Sequence, residues 1–244
     1  MTINTIDESQ RKAARVVGLM YLLFFPFGAF AEFYAFGQLV VYDSAAETAR
    51  NIMAHERLFR LGIAANLTGF ATVVVLITAL YVVLNPVNRS LALGAAFFRL
   101  IEVSMVVVTT LSSLDVLRVL SGAEYLRVFE ADQLQVLARL SLGTSGAAYS
   151  IGLLFFGIGS SMFCYLWYKS KYVPRALAAW GVLASLWIGA CVFAFIIFPE
   201  LEKIIAFWYY AAPIMLFEVT MGVWLLLWGL RATGANARAQ SGAA

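Results

Sequence analysis

The chain has 244 residues, of which 62% are hydrophobic and only 13% charged, and its formal net charge is +3 at pH 7. A soluble domain is about 45–50% apolar and about 25% charged, so a water-soluble globular protein is excluded. The slight basic excess gives no reason to expect a nucleic-acid partner, and the lipid bilayer is the expected surrounding.

A helix needs about 20 apolar residues to cross a hydrocarbon core about 30 Å thick. Six runs meet that length, at Ala14–Phe36, Leu58–Leu84, Leu91–Leu111, Leu142–Tyr168, Leu177–Phe198 and Ile204–Leu230. The expected fold is therefore all-α: a polytopic six-helix membrane bundle with short interfacial helices in the outer loops. Residues 1–13 read as a cytoplasmic N-terminal segment, residues 14–231 as one six-helix transmembrane domain, and the Ala-, Gly- and Ser-rich residues 232–244 as a disordered cytoplasmic tail. The first run is too long for a signal peptide, and no small-residue cleavage site follows it.

In chain order, Arg11, Lys12 and Arg15 precede span one. Together with Arg89, Lys169, Lys171, Arg175 and Arg231 in alternate connections, they predict both termini on the cytoplasmic side of the inner membrane. Span one carries Pro26 ahead of Glu32. Proline lacks an amide and frees a carbonyl four residues back, and broken helices beside a carboxylate are one mark of a transporter site. Ser44-Ala-Ala-Glu47 then has the spacing of a capping box, predicting a short interfacial helix through Ile52 and Met53. Glu32, Arg60 and Asn66 form one expected polar cluster near the outer face, although Arg60 can snorkel and Asn66 can bond across a helix pair.

Span three holds Arg99 and Glu102, three apart on one helix face and able to pair. After it, Leu114, Leu117 and Leu120, then Leu134, Leu137 and Leu140, recur at three- and four-residue steps. That pattern predicts amphipathic helix on the outer surface, lid-like, within the long connection from 112 to 141. Span four opens on Gly143-Thr-Ser145-Gly146, the Gly-x-Ser-Gly seen in rhomboid proteases. Their serine needs a histidine base from the last core helix. The chain's single histidine is His55 in the first outer loop, so Ser145 is expected to cap a helix start instead. Gly146, Ser150, Gly157 and Ser161 form a stripe of small residues for close helix packing. Cys164 and Cys191 lack metal-site spacing and read as apolar filler.

Span six repeats part of span three: Leu100-Ile-Glu102-Val-Ser-Met105 returns as Leu216-Phe-Glu218-Val-Thr-Met221, with Pro213 ahead of Glu218. The two spans run in opposite directions, as an inverted repeat of three-helix halves requires. A charge near the bilayer centre costs roughly 2.5–3.5 kcal/mol on insertion scales, so Arg99, Glu102 and Glu218 are expected to face the protein interior. Two carboxylates beside one guanidinium cannot easily both ionise there, and the arrangement can hold a proton or a cationic ligand. One histidine rules out bis-histidine haem, di-iron and zinc chemistry, and neither a mid-span lysine nor a phosphate-binding loop is present. No cofactor, metal site or catalytic residue is expected.

Longer stretches carry a family likeness. Asn51-Ile-Met-Ala-His-Glu-Arg-Leu-Phe-Arg60-Leu-Gly leads into span two, and Leu80-Tyr-Val-Val-Leu-Asn-Pro86-Val-Asn-Arg89-Ser-Leu-Ala-Leu joins spans two and three. Phe98-Arg99-Leu, Phe155-Phe-Gly157 and Tyr168-Lys-Ser-Lys-Tyr-Val-Pro174-Arg175 follow in order, then Glu218. Over nearly its whole length the chain resembles the bacterial multi-pass family known as domain of unknown function 4386. The resemblance implies an inner-membrane protein and brings no established activity. Its pattern has Arg at position 99, Glu at 218 and often an amide where Glu102 stands. That favours Arg99–Glu218 as the core pair.

The expected role is binding or transport of a small lipophilic or cationic molecule, at a site built from Glu218, Arg99, Glu102, Glu32 and Asn66. Phe33, Phe98, Tyr209 and Phe217 are its expected aromatic lining. The alternatives are an accessory protein whose charges only tie helices together and, third, an intramembrane enzyme using carboxylates. Substrate and oligomeric state are not legible in the sequence.

Overall fold

The computed structural model describes residues 6–231 apart from Tyr42 and the side chain of Lys203. The tail expected at 232–244 lies outside the described residues. All regular structure among the described residues is helical. Six helices are long and apolar enough to cross a membrane: α1 (Glu8–Leu39), α3 (Glu56–Leu84), α4 (Arg89–Val119), α5 (Ala131–Ser170), α6 (Arg175–Ile197) and α8 (Phe207–Leu227). Two shorter ones, α2 (Ala45–Ala54) and α7 (Glu200–Ile204), lie in the loops ahead of α3 and α8.

Local chemistry sets most of the helix ends. Asp7 caps α1, its Oδ1 accepting the Gln10 amide at 2.7 Å while Gln10 Oε1 accepts the Asp7 amide at 3.2 Å. Ser44 caps α2 by accepting the Glu47 amide at 3.1 Å, as its spacing predicts. Asn88 accepts the Leu91 amide at the start of α4. Pro174 and Pro199 stand immediately before α6 and α7, where the missing amide costs no intrahelical bond.

Helix α1 is not uniform: Phe30–Phe36 is wound as a π-helix. Its closing bond runs from the Gly37 amide to the Glu32 carbonyl. A Cβ on Gly37 would sit 2.7 Å from that oxygen, so the wide turn requires glycine there. Helices α4 and α5 run well past the expected spans, leaving a connection with a single 3-10 turn at Glu124–Leu126. The separate surface helix expected between them is therefore absent: its leucines lie on extensions of the spanning helices, except Leu120 just beyond α4.

The chain forms two compact units. One comprises residues 24–71 and 103–152. Its core gathers Leu39, Ile52, Phe59, Ile63, Val116, Leu117 and Ala138, with Leu114 and Leu120 packed against it. Leu114, Leu117 and Leu120 therefore belong to this core rather than to a lid, whereas Leu140 is exposed. Thr48 both accepts the Val41 amide and donates to the Val41 carbonyl at 2.9 Å, fixing α2 to the chain before it. Ser145 does not cap a helix start. It lies well inside α5 and donates to the Thr109 carbonyl of α4 at 3.3 Å.

The other unit comprises, among the described residues, 6–23, 72–102 and 153–231. Each unit takes residues from α1, α3, α4 and α5, so the units do not follow the three-helix halves of an inverted repeat. Close helix contacts here rest on glycine. A Cβ on Gly18 of α1 would lie 2.8 Å from the Gly222 carbonyl of α8, and one on Gly157 of α5 would lie 2.9 Å from Gly189 Cα of α6. Gly146, expected on the same stripe as Gly157, has nothing within 4 Å of its Cβ position. Pro213 leaves the Tyr209 carbonyl without its helical donor, and the Trp187 indole N–H of α6 donates to that oxygen at 3.3 Å. Finally, Gln10 Nε2 donates to the Val83 carbonyl at 3.0 Å and reaches the Tyr172 hydroxyl at 3.5 Å, while the Tyr172 carbonyl accepts the Arg231 amide at 2.8 Å.

Candidate intramembrane charge site

Helical spacing places Arg99 and Glu102 on one face of α4, and Nη1 approaches Oε2 to 2.9 Å with both side chains under 10% exposed. The N–H does not point along this contact, so neither atom completes a directed hydrogen bond. The pair is held by charge more than by geometry, and both atoms keep unmet bonding capacity in a buried setting. The guanidinium carbon lies 4.3 Å from the centroid of the Phe156 ring, a cation–π contact that offsets part of its desolvation. One helical turn on, Gly159 lets the α5 backbone reach the arginine stem: a Cβ there would stand 2.8 Å from Arg99 Cγ and 2.9 Å from the Ala95 carbonyl.

Glu218 arrives from α8, is buried, and lies within coulombic reach of both Arg99 and Glu102. Tyr21 of α1 and Cys164 of α5 lie in the same field and are also buried. Ser185 of α6 is hydrogen-bonded to Cys164 and donates to the Gly181 carbonyl at 2.7 Å. Gly181 in turn makes room for the Phe217 ring and the Cys164 sulfur, each under 3 Å from its Cβ position. Five spanning helices thus surround one cation and two acidic groups. If both carboxylates were ionised the group would carry one uncompensated negative charge.

The direct partner of Arg99 is Glu102 and not Glu218, because the three-residue spacing on one helix brings that carboxylate into contact without any tertiary adjustment. Glu32 and Asn66 belong to the other unit, where Glu32 is exposed within the π-helical segment and Asn66 is half-buried on α3. Arg60 is not drawn to Glu32. Its Nε bonds Glu56 Oε1 at 2.7 Å, one turn back on the same helix. Of the expected aromatic lining, Phe217 is buried at the site and Phe98 stacks on Phe155. Phe33 and Tyr209 are more than half exposed.

Tyr21, Phe156, Gly159 and Ser185 were not singled out by the sequence, although Phe156 and Gly159 lie in or beside the Phe155-Phe-Gly157 stretch. The available signal was their spacing: Phe156 and Gly159 share one face of α5, a bulky ring and a gap three residues apart. Among the described residues no group of three or more His, Cys, Asp or Glu side chains is placed to hold a metal ion.

Neither the curated proteins nor the solved structures include a match to this chain. A family model does match, over residues 16–229, a stretch that takes in most of α1, the other five long helices whole and every member of the charge site. The chain therefore belongs to the family described as domain of unknown function 4386.

Proposed function

We propose that the protein is a membrane-embedded binding or transport protein whose ligand, a proton or a small cationic molecule, is taken at Arg99, Glu102 and Glu218. The observation that carries this reading is the charge inventory of the buried group: one guanidinium faces two carboxylates, and the contact between Arg99 and Glu102 leaves polar atoms with bonding capacity to spare. A bilayer-spanning bundle keeps such residues at a cost, and in membrane proteins they mark ion and substrate pathways by default. In this reading Arg99 fixes the carboxylates, Glu218 binds and Glu102 tunes the field around it. Both termini lie on the cytoplasmic side of the inner membrane, as the Lys and Arg bias of alternate loops favours.

The test is mass spectrometry of small molecules co-purifying with the wild type and with Glu218→Gln, alongside cation and proton flux in vesicles. A compound or flux lost from a folded mutant supports the proposal. Unchanged flux and unchanged co-purification in both Glu218→Gln and Arg99→Ala would sink it.

A second reading has its own observation. Arg99 is gripped by Phe156 and Gly159, as expected of a purely structural tie between α4 and α5. That reading requires Arg99→Ala to destabilise the bundle and a paired apolar replacement of Arg99 and its direct partner Glu102 to restore much of the loss.

A further inference from the structure

Charge and packing around Glu218 together narrow what the buried group can hold. Arg99, Glu102 and Glu218 are each no more than 9% exposed. Three helices turn titratable or charged groups toward Glu218: Tyr21 of α1, Arg99 and Glu102 of α4, and Cys164 of α5. Helix α6 adds Gly181 and Ser185, which carry no charge. A phenol and a thiol are uncharged at neutral pH, so among the described residues Arg99 is the one cation in this set. Glu102 already takes that cation, at 2.9 Å on the same helix. An ionised Glu218 would then be a buried charge without a counterion, the state a low-dielectric interior tolerates least.

Something positive has to accompany Glu218, and the packing limits its size. The Phe156 ring covers the guanidinium at 4.3 Å. A single added carbon at Gly159 would come within 2.8 Å of the arginine stem. One at Gly181 would come within 2.5 Å of the Phe217 ring and 2.7 Å of Cys164 Sγ. Where these walls refuse a methyl group they also refuse an organic cation, whereas a proton needs no volume. The hydrogen bonds point the same way. Glu102 Oε2 is buried and accepts no directed hydrogen bond, so the site is short of a donor, and protonating a carboxylate creates one.

We propose that the ligand of the charge site is a single exchangeable proton, seated on Glu218 and balanced by the Arg99–Glu102 pair. This deepens the binding reading above and rests on it. Loading places the proton on a Glu218 oxygen and brings the group from one net negative charge to neutrality; release returns the proton to water. Occupancy follows from a count: the protons held equal the carboxylates less the guanidinium.

The experiment is infrared difference spectroscopy of the full chain in lipid vesicles at neutral pH, in H2O and in D2O, reading the carbonyl stretch of protonated carboxylic acids. Subtracting each variant from wild type cancels acids elsewhere, Glu32 included. Wild type should show one such acid at the site. Glu218→Gln and Glu102→Gln should each lose it, because either leaves one carboxylate facing Arg99, and Arg99→Gln should show two. The wild-type band should shift in D2O. A band that never shifts marks a locked structural proton and overturns the proposal, as does a band retained in either glutamine variant. A wild type without the band overturns it too. Mass spectrometry and metal analysis of that wild type then separate the two readings: a co-purifying cation leaves binding standing and removes only the proton, while none removes both. If Arg99→Gln fails to fold, the two Glu→Gln variants decide, since they keep the shape of the side chain.

Discussion

Arg99 shows how a single charged side chain can be made tolerable inside an apolar bundle. Three groups act on it together. The Glu102 carboxylate opposes the charge, the Phe156 ring covers one face of the guanidinium, and Gly159 admits the stem. Removing the cation alone leaves two acidic groups with nothing to oppose them, and breaking a buried pair by one partner costs about 3–5 kcal/mol. Arg99→Ala is therefore expected to lower unfolding stability in detergent by about that amount. Arg99→Met combined with Glu102→Leu should recover much of the loss, and a double-mutant cycle on melting checks it. Gly159→Ala should also destabilise, by about 1–3 kcal/mol, because the new methyl meets the Ala95 backbone as well as a side chain. The sequence made Arg99, Glu102 and Glu218 visible because charge is conspicuous in an apolar run. Phe156 and Gly159 stayed hidden among many similar residues, since a ring or a gap acquires meaning only from what stands opposite it.

At the level of the helix, hydropathy located the six spans closely but set their ends poorly. Apolar content reports which residues can sit in lipid. A helix continues as long as its backbone bonds do, and α4 and α5 keep going into polar sequence beyond the bilayer segment. The π-helical turn at Phe30–Phe36 has no hydropathy signature either, because it changes the winding and not the polarity. Stripes of small residues were likewise only half informative. Gly157 meets Gly189 across a helix contact while Gly146 meets nothing, so Gly157→Ala is expected to destabilise measurably. Gly146→Ala should stay within about 0.5 kcal/mol of wild type, with melting as the readout for both. The bond from Trp187 to the carbonyl freed by Pro213 should contribute about 0.6 kcal/mol, the average for interhelical hydrogen bonds in membranes. Trp187→Phe should lose that increment, and the loss should shrink when Pro213→Ala restores the helical donor.

For the molecule as a whole, a largely apolar interior admits a few charged groups while large apolar side chains also cover much of the outside. Arg99, Glu102 and Glu218 are buried, whereas Leu183, Phe193 and Leu227 are each more than half exposed. That distribution suits lipid as the surrounding medium, which the composition already favours. Orientation is a separate matter, resting on loop charges. The proposed placement expects a membrane-impermeant maleimide added to intact cells to label Ala123→Cys, while Ser90→Cys reacts only after permeabilisation. Labelling in the opposite order would invert the topology. The two native cysteines are buried and should leave the background low.

The knot around Tyr172 has a consequence for how the chain is made. Its hydroxyl meets Gln10, which also holds Val83, and its carbonyl receives the Arg231 amide. The groups that complete it leave the ribosome at very different times, Arg231 more than two hundred residues after Gln10. The first helix must therefore wait with this junction incomplete until Arg231 has been made. During that interval Gln10 and the Tyr172 carbonyl lack the partners that satisfy them in the finished fold.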